Sequence, residues 1–527
     1  MSARLWLSWL ILAAGILGLR PSVEPSPWPR ASYVAADTDS TAPRTTIVTG
    51  DSLSQQEENG ELVQYYIGHV EGMPDSTELR ADWAKRFIAR KQVLLTGHVL
   101  LIDKGDSLYA DTVFYDELNK IGRALGHVRL SDGEVVVLAP SGIYFVDEKR
   151  ARFSEGLTLK DSTAVITSRR GSYWTQEKRA ELEGVVRLQA ERTYLEADSL
   201  SYFRKTEVSI ARGNVFIERI GGDADSTIRT LLFSQWAYND EKAGLSRIRG
   251  HPLLVQLRQD STGADVDTLV IKALYLEAIE RDSLRRLVAV DSVQVWQRDL
   301  AAVADSVVYE RFEAPADTLG TLAREPFEET RLYRGPILWV GQAQISGDTI
   351  RVKGRGSTVD SLFVRQRAFV AQRDTVTERI HQLKGRHLVG IFEGDSIRTF
   401  IAGPNAETIY FRRDEEDQPA GGLQVSGDQA IFRFRGEEPE EILFPGEPQG
   451  TYYPESLLPD PFQLDGFRWL PGLRPAKTSL LRDERVLQRL ASYARLDAGP
   501  PAMEAEPAPV DTVKTERTPA PRQQKNP

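Results

Sequence analysis

The stretch "LYADTVFYDELNKIGRALGHVRL", Leu108 to Leu130, holds two strand-length apolar runs parted by a polar turn. It returns almost column for column as "LEADSLSYFRKTEVSIARGNVFI", Leu195 to Ile217. A sequence that repeats itself has to be read by its period before its local propensities. Gly68, Gly97, Gly126, Gly184 and Gly213 stand on a 29-residue grid, with Glu155 at the one grid position that is not Gly. Val70, Val99, Val128, Leu157, Val186 and Val215 each follow a grid position by two residues. Leu108, Val137, Ile166 and Leu195 keep the same pitch, as do Tyr115, Tyr144, Tyr173 and Tyr202, and the small residues Ala110, Ala139, Ser168 and Ala197.

Each unit therefore supplies a pair of strands. Stacked units put every column into a ladder of like side chains on one inner surface, with Gly and charged corners outside. Runs rich in Val, Leu, Ile, Tyr and Thr, broken about every dozen residues by Gly, Asp or Asn, continue to about residue 455 without long helical periodicity. The fold class is all-β. Alternation along "LYADTVFY" places Leu108 and Ala110 on one face but Val113 and Tyr115 on the other, so a bulge or corner at the Ala-Asp step is expected to bring both pairs inward. The ladders are read as groove or core: Val99, Val128, Leu157, Val186 and Val215; Leu108, Val137, Ile166 and Leu195; Tyr115, Tyr144, Tyr173 and Tyr202; and with them Leu101, Val113 and Leu200.

The bulk numbers limit the function. Acidic residues outnumber basic ones 76 to 66, a net charge of -10, so no general nucleic-acid binder is expected. There is no cysteine, which removes disulfides, thiolate metal sites and cysteine catalysis. The amino terminus has one Arg before an apolar run from Leu5 to Leu19, too short for the roughly 20 residues of a membrane span and shaped like a signal segment. It is read as a cleaved signal, with a retained anchor as the alternative.

Two motifs invite catalysis or metal binding. "GDSL" occurs at Gly50 to Leu53 and again at Gly105 to Leu108, the letters of a family of serine esterases. Such an enzyme needs a base oriented by a carboxylate. None of the six histidines has Asp three residues before it, no oxyanion block is evident, and Asp-Ser recurs in the turns of this chain. His69, His98 and His127 each follow a grid Gly, but no second ligand column accompanies them, so they read as solvated corners rather than a metal site. No catalytic residue, metal or cofactor is expected.

The units resemble the OstA-like family of lipopolysaccharide-transport β proteins. Ala110-Asp111, Tyr115 and Gly126-His127-Val128 carry the likeness in one unit, and Ala197-Asp198, Tyr202 and Gly213-Asn214-Val215 in another. The later "LKGRHLVGIFEGDSIRTFIAGPNAETIYF" is similar to a second hallmark of the larger members, although Pro404 stands where the family prefers Gly, and Pro140 and Arg169 replace the repeat Asp in intervening units. The resemblance implies an elongated, repeat-built β-jellyroll, a trough whose inner ladders hold the acyl chains of lipopolysaccharide or a related glycolipid. It also implies a periplasmic location, partner jellyrolls paired through edge strands, and an outer-membrane barrel as a further partner. The expected layout is a signal or anchor with linker (1–36), a first jellyroll region (45–311), a linker or long loop (312–333), a second β region (334–455), an extension with a short amphipathic helix at Leu480 to Leu496 (456–497), and a disordered Pro-rich tail (498–527).

Overall fold

A computed structural model describes residues 48–497, apart from 73–76, 224–225, 261–266, 282–283, 299, 313–325, 356–357, 394–395 and 436–437. The segment 1–36 and the tail 498–527 lie outside them. The chain forms two units that meet in sequence at Leu480 and Leu481. In the first, the described residues form one antiparallel sheet of 34 strands.

The unit quoted above shows how the repeat builds this sheet. Strands Gln92–Asp103, Asp106–Asp116 and Ile121–Ser131 pair in succession. Asp103 faces Asp106 across a two-residue hairpin whose residues, Lys104 and Gly105, have φ of 49° and 98°. Left-handed values at both positions match the natural twist of paired strands. At the other end Asp116 accepts the amides of Leu118 (3.0 Å) and Asn119 (2.9 Å), and Lys120 turns left-handed. The same left-handed turn position recurs at Lys91, Lys149, Lys178 and Glu207, one per unit.

Midway along each strand the ladder breaks. Register shifts fall between Thr96 and Val99, Tyr109 and Thr112, and Leu125 and Val128. On every second strand the break is two consecutive left-handed residues: Gly68-His69, Gly97-His98, Gly126-His127, Gly184-Val185 and Gly213-Asn214. An extended strand cannot pass through two such residues without turning, so each strand bends there and the sheet folds along the aligned bends. The strand halves then belong to two facing leaves. Residues 92–96, 112–116 and 121–125 lie on leaf 1, and 99–103, 106–110 and 128–131 on leaf 2. The bend also resets the alternation, as read from the sequence. Leu108 and Ala110 are buried before it, Val113 after it, and Tyr109 stays exposed.

The grid Gly is required at this crease. Gly126 has φ +76°, and a Cβ there would lie 2.1 Å from Asp111 Oδ2. That same Asp111 accepts a 2.8 Å hydrogen bond from His127 Nδ1, and Asp51–His69 and Asp82–His98 repeat it at 2.8 Å. Asp198 accepts from Asn214 at 2.9 Å. The Ala-Asp and Gly-His/Asn-Val halves of the repeat are thus two sides of one corner. Where Pro140 replaces the Asp, the corner is remade around Glu155 and Gly156, with Ser141 donating to Glu155 at 2.9 Å.

The sheet does not stop at the expected linker. Within 312–333, Phe327–Tyr333 is a strand paired with both Leu300–Phe312 and Thr349–Arg355. The two β segments therefore share one sheet. The sequence hides this strand because it buries Glu328, Glu329 and Thr330, residues that hydropathy assigns to solvent. After the last strand, Gln449–Tyr453, the extension packs Leu464 against Phe369, Ala371 and Ile409, with Phe462, Phe467 and Trp469 around them. Gln344 and Gln382 fix it by bonding the backbone of Arg468, Leu470 and Leu464. In the second unit the helix expected at Leu480 to Leu496 is Glu484–Asp497, started by Asp483, whose carboxylate accepts the Arg485 amide at 2.9 Å.

The corner pairs are highly exposed, and exposed ion pairs contribute little. The crease therefore depends on backbone geometry. Gly126→Ala is expected to lower stability by about 1–3 kcal/mol, whereas Asp111→Ala leaves the thermal midpoint within experimental scatter; thermal denaturation of the two variants checks this.

Candidate functional site

The two leaves meet along an apolar seam. Val99, Leu108, Val113, Val128, Val137, Leu157, Ile166, Tyr173, Val186, Leu195, Leu200 and Val215 all belong to its continuous core and are at most 9% exposed. Leu101, Tyr144 and Tyr202 are partly buried against that core, and Tyr115 is half-buried. The structure thus brings the sequence ladders together, with the facing ladders filling the space between them.

On the side opposite the crease, the hairpin turns of the leaves form a lip, and the Tyr column reaches it. Tyr173 donates its hydroxyl to Asp132, and Tyr202 donates to Asp161 at 3.3 Å. Asp132 and Asp161 sit in leaf 2 turns, and burial together with these carboxylates pushes both phenols well above their ordinary range. Cations from leaf 1 turns complete the contacts. Lys149 pairs with Asp103, Lys178 with Asp132 at 2.9 Å, and Arg204 with Asp161 at 3.8 Å and with Glu134.

Asp103, Asp132 and Asp161 keep the repeat pitch, yet the sequence reading passed over them. Their partners lie 46 residues away in a turn that looks solvated, as Lys149 does from Asp103, and 41 residues away in a ladder strand, as Tyr173 does from Asp132. The one available signal was a second pair of columns, Asp and Lys, on the pitch already found.

Burial alone would raise the Asp132 carboxyl, but hydrogen bonds from Tyr173, Lys178 and the amides of Val135 and Glu134 outweigh it and hold the group below the usual carboxylate range. Such a group adds stability above its unfolded pKa that is lost as pH falls through the folded value. Glu241, in the next leaf 1 turn, behaves oppositely. Burial, with Glu207 and Asp161 nearby, pushes it up to about 7.

The histidine and serine motifs sit elsewhere. His69, His98 and His127 lie on the exposed outside of the crease, and Asp51 and Asp82 hold the first two imidazoles above their ordinary range. Ser107 is the second residue of the strand after the Lys104-Gly105 turn, opposite Ile102 and Ser131, and Ser52 lies on the exposed strand Ser52–Glu58. Among the described residues no hydrogen bond joins either serine to a histidine. Nor, among them, do three His, Asp or Glu side chains gather in a metal-binding group, and no helix is long and apolar enough to cross a membrane.

Residues 44–219 match the family described as OstA-like protein. No curated protein matches the chain. A solved structure similar to part of it is LptH from Pseudomonas aeruginosa, the LptA homologous periplasmic component of the conserved lipopolysaccharide transport device. It is 16% identical over 26% of this chain and 82% of that one, with a TM-score of 0.15.

A raised carboxyl pKa gives stability that is lost as pH rises through the folded value, so ionised Glu241 opposes folding above pH 7. Glu241→Gln is expected to raise the thermal midpoint at pH 8 and to leave it nearly unchanged at pH 5, as thermal melts at the two pH values would show.

Proposed function

With residues 44–219 OstA-like, we propose that this chain is a periplasmic, non-catalytic component of lipopolysaccharide transport that holds the acyl chains of lipopolysaccharide or a related glycolipid between its leaves. The observation that carries the reading is the construction of the seam. Two apolar faces are joined by backbone at the crease, while side chains alone close the lip. An acyl chain entering from the lip exchanges leaf-to-leaf contacts for leaf-to-lipid contacts. Each methylene it buries contributes about 0.8 kcal/mol, so a chain of about ten methylenes supplies about 8 kcal/mol. That is of the same order as the polar contacts of the lip, each worth about 1–3 kcal/mol, so entry is balanced when the departing groups find new partners on the headgroup.

Edge strands suit the handover of lipid to other jellyrolls. Ser52–Glu58 at one end of the sheet, and Glu438–Leu443 with Gln449–Tyr453 at the other, pair on one side only among the described residues. Unpaired strand edges are templates for a further strand. An outer-membrane barrel is a further partner consistent with this reading. The signal-like amino terminus, read as a cleaved signal or a retained anchor, supports the exported location in this reading.

One observation favours a second reading, a structural module of the envelope that carries no lipid. The ladders already fill each other's space, as they would in a protein whose seam is only a core.

Photo-crosslinking in cells from Tyr115, Tyr173 and Val186 separates the two. Lipid transport predicts lipid adducts at these positions. If they capture none while exposed positions such as Leu53 and Leu118 capture protein, the structural module stands. On either reading the purified chain has no ester hydrolysis that Ser107→Ala or Ser52→Ala removes, as a chromogenic ester assay would show.

A further inference from the structure

The lip between Asp103 and Arg204 has a layered chemistry that matches an amphiphile from outside to inside. Outermost is the Glu134 carboxylate, 57% exposed, and next to it the cationic ends: the side chains of Lys178, Arg204 and Lys149 are 21%, 26% and 28% exposed. Beneath them lie carboxylates, with Asp132 and Asp161 at 0% and 2%. The Tyr173 and Tyr202 hydroxyls follow, and then the apolar ladders.

We propose that this lip is a charge-latched lateral mouth, in which Lys149, Lys178 and Arg204 leave their carboxylate partners to bind the phosphate groups of an anionic glycolipid as its acyl chains enter the seam. The inference rests on the lipid-carrying reading above.

In the latches at Asp132 and Asp161 the two sides are held unequally. Without its lysine, Asp132 keeps the Tyr173 hydroxyl and the backbone amides of Glu134 (3.0 Å) and Val135 (2.8 Å). Asp161 likewise keeps the Tyr202 hydroxyl, the Thr163 hydroxyl (2.9 Å), and the amides of Thr163 and Ala164, both at 2.8 Å. A carboxylate with that many donors keeps most of its hydrogen bonds when a cation departs, which lowers the usual penalty for breaking a buried pair, although Lys178 also gives up the Asp132 carbonyl at 3.2 Å. The cations are on long flexible stems and partly exposed, with the exposed Glu134 carboxylate beside Lys178 and Arg204, so an arriving phosphate competes with Glu134 for both. Phosphate offers the same charge-assisted hydrogen bonds that the carboxylate gave. One latch per two-strand unit spaces the cations about 10 Å apart along the lip, so two phosphates on one headgroup could engage neighbouring latches.

The chain has no cysteine, so a pair introduced at Asp132→Cys and Lys178→Cys can be tethered selectively with a short bismaleimide on the folded full-length protein. The probes are lipopolysaccharide and its dephosphorylated form, and the readout is photo-capture from Tyr115. Tethering is expected to cut capture about tenfold relative to the untethered pair. In the otherwise unmodified protein, replacing Lys149, Lys178 and Arg204 together by Gln should abolish any preference for the phosphorylated lipid. Equal capture by tethered and untethered protein, or a phosphate preference that survives the triple replacement, overturns the mouth while lipid carriage stands. Absence of capture in every form, the unmodified protein included, overturns lipid carriage itself and the mouth with it.

Discussion

Everything in the first unit depends on two consecutive left-handed residues in the middle of a strand. Paired extended backbone resists such a break, because the ladder loses hydrogen bonds and a Cβ in that conformation is strained. The repeat resolves both difficulties together. Gly takes the first left-handed position, and the polar side chain that takes the second bonds an Asp on the neighbouring strand, at Asp51–His69, Asp82–His98, Asp111–His127 and Asp198–Asn214. Once the bend recurs at the same pitch, the crease, the two leaves and the seam all follow. Val70, Val99, Val128, Val186 and Val215, one residue beyond each corner, are then turned inward by the bend and buried.

What the sequence made legible was the part governed by this local rule. The pitch, the Gly column, the bulge at the Ala-Asp step and the inward ladders can all be read from residues within one unit, because the bend acts on its own strand and its neighbour. The strand Phe327–Tyr333 was not legible, since burial of Glu328 and Glu329 is decided by what the rest of the sheet places around them. The latches escaped for a related reason. Lys178 and Asp132 look like ordinary turn residues until the crease brings the two leaves face to face. The histidine column was misleading in a limited way: it does have an aligned carboxylate column, but each Asp sits on the neighbouring strand at its own rung and builds a corner.

The same contrast separates the structural charges from the functional candidates. Corner pairs are highly exposed, and their conspicuous spacing reflects geometry. Lip pairs are partly buried, anchored on the acid side by backbone amides, and set above apolar ladders. Burial and the distribution of hydrogen-bond donors distinguish the two sets, whereas residue type and spacing in the sequence do not.

The latches are also laid out on a bias. Asp103 ends strand Gln92–Asp103, while its partner Lys149 lies in the turn that follows Val136–Phe145, three strands further along, and Asp132 and Lys178 repeat a similar offset. The seam is therefore laced like a boot, with each stitch crossing over its neighbours' rungs. A laced edge does not gape at one eyelet alone: slack taken at one stitch is drawn from those on either side. On the lipid-carrying proposal, a cargo under the laces would part them stitch by stitch along the repeat instead of opening the whole edge at once.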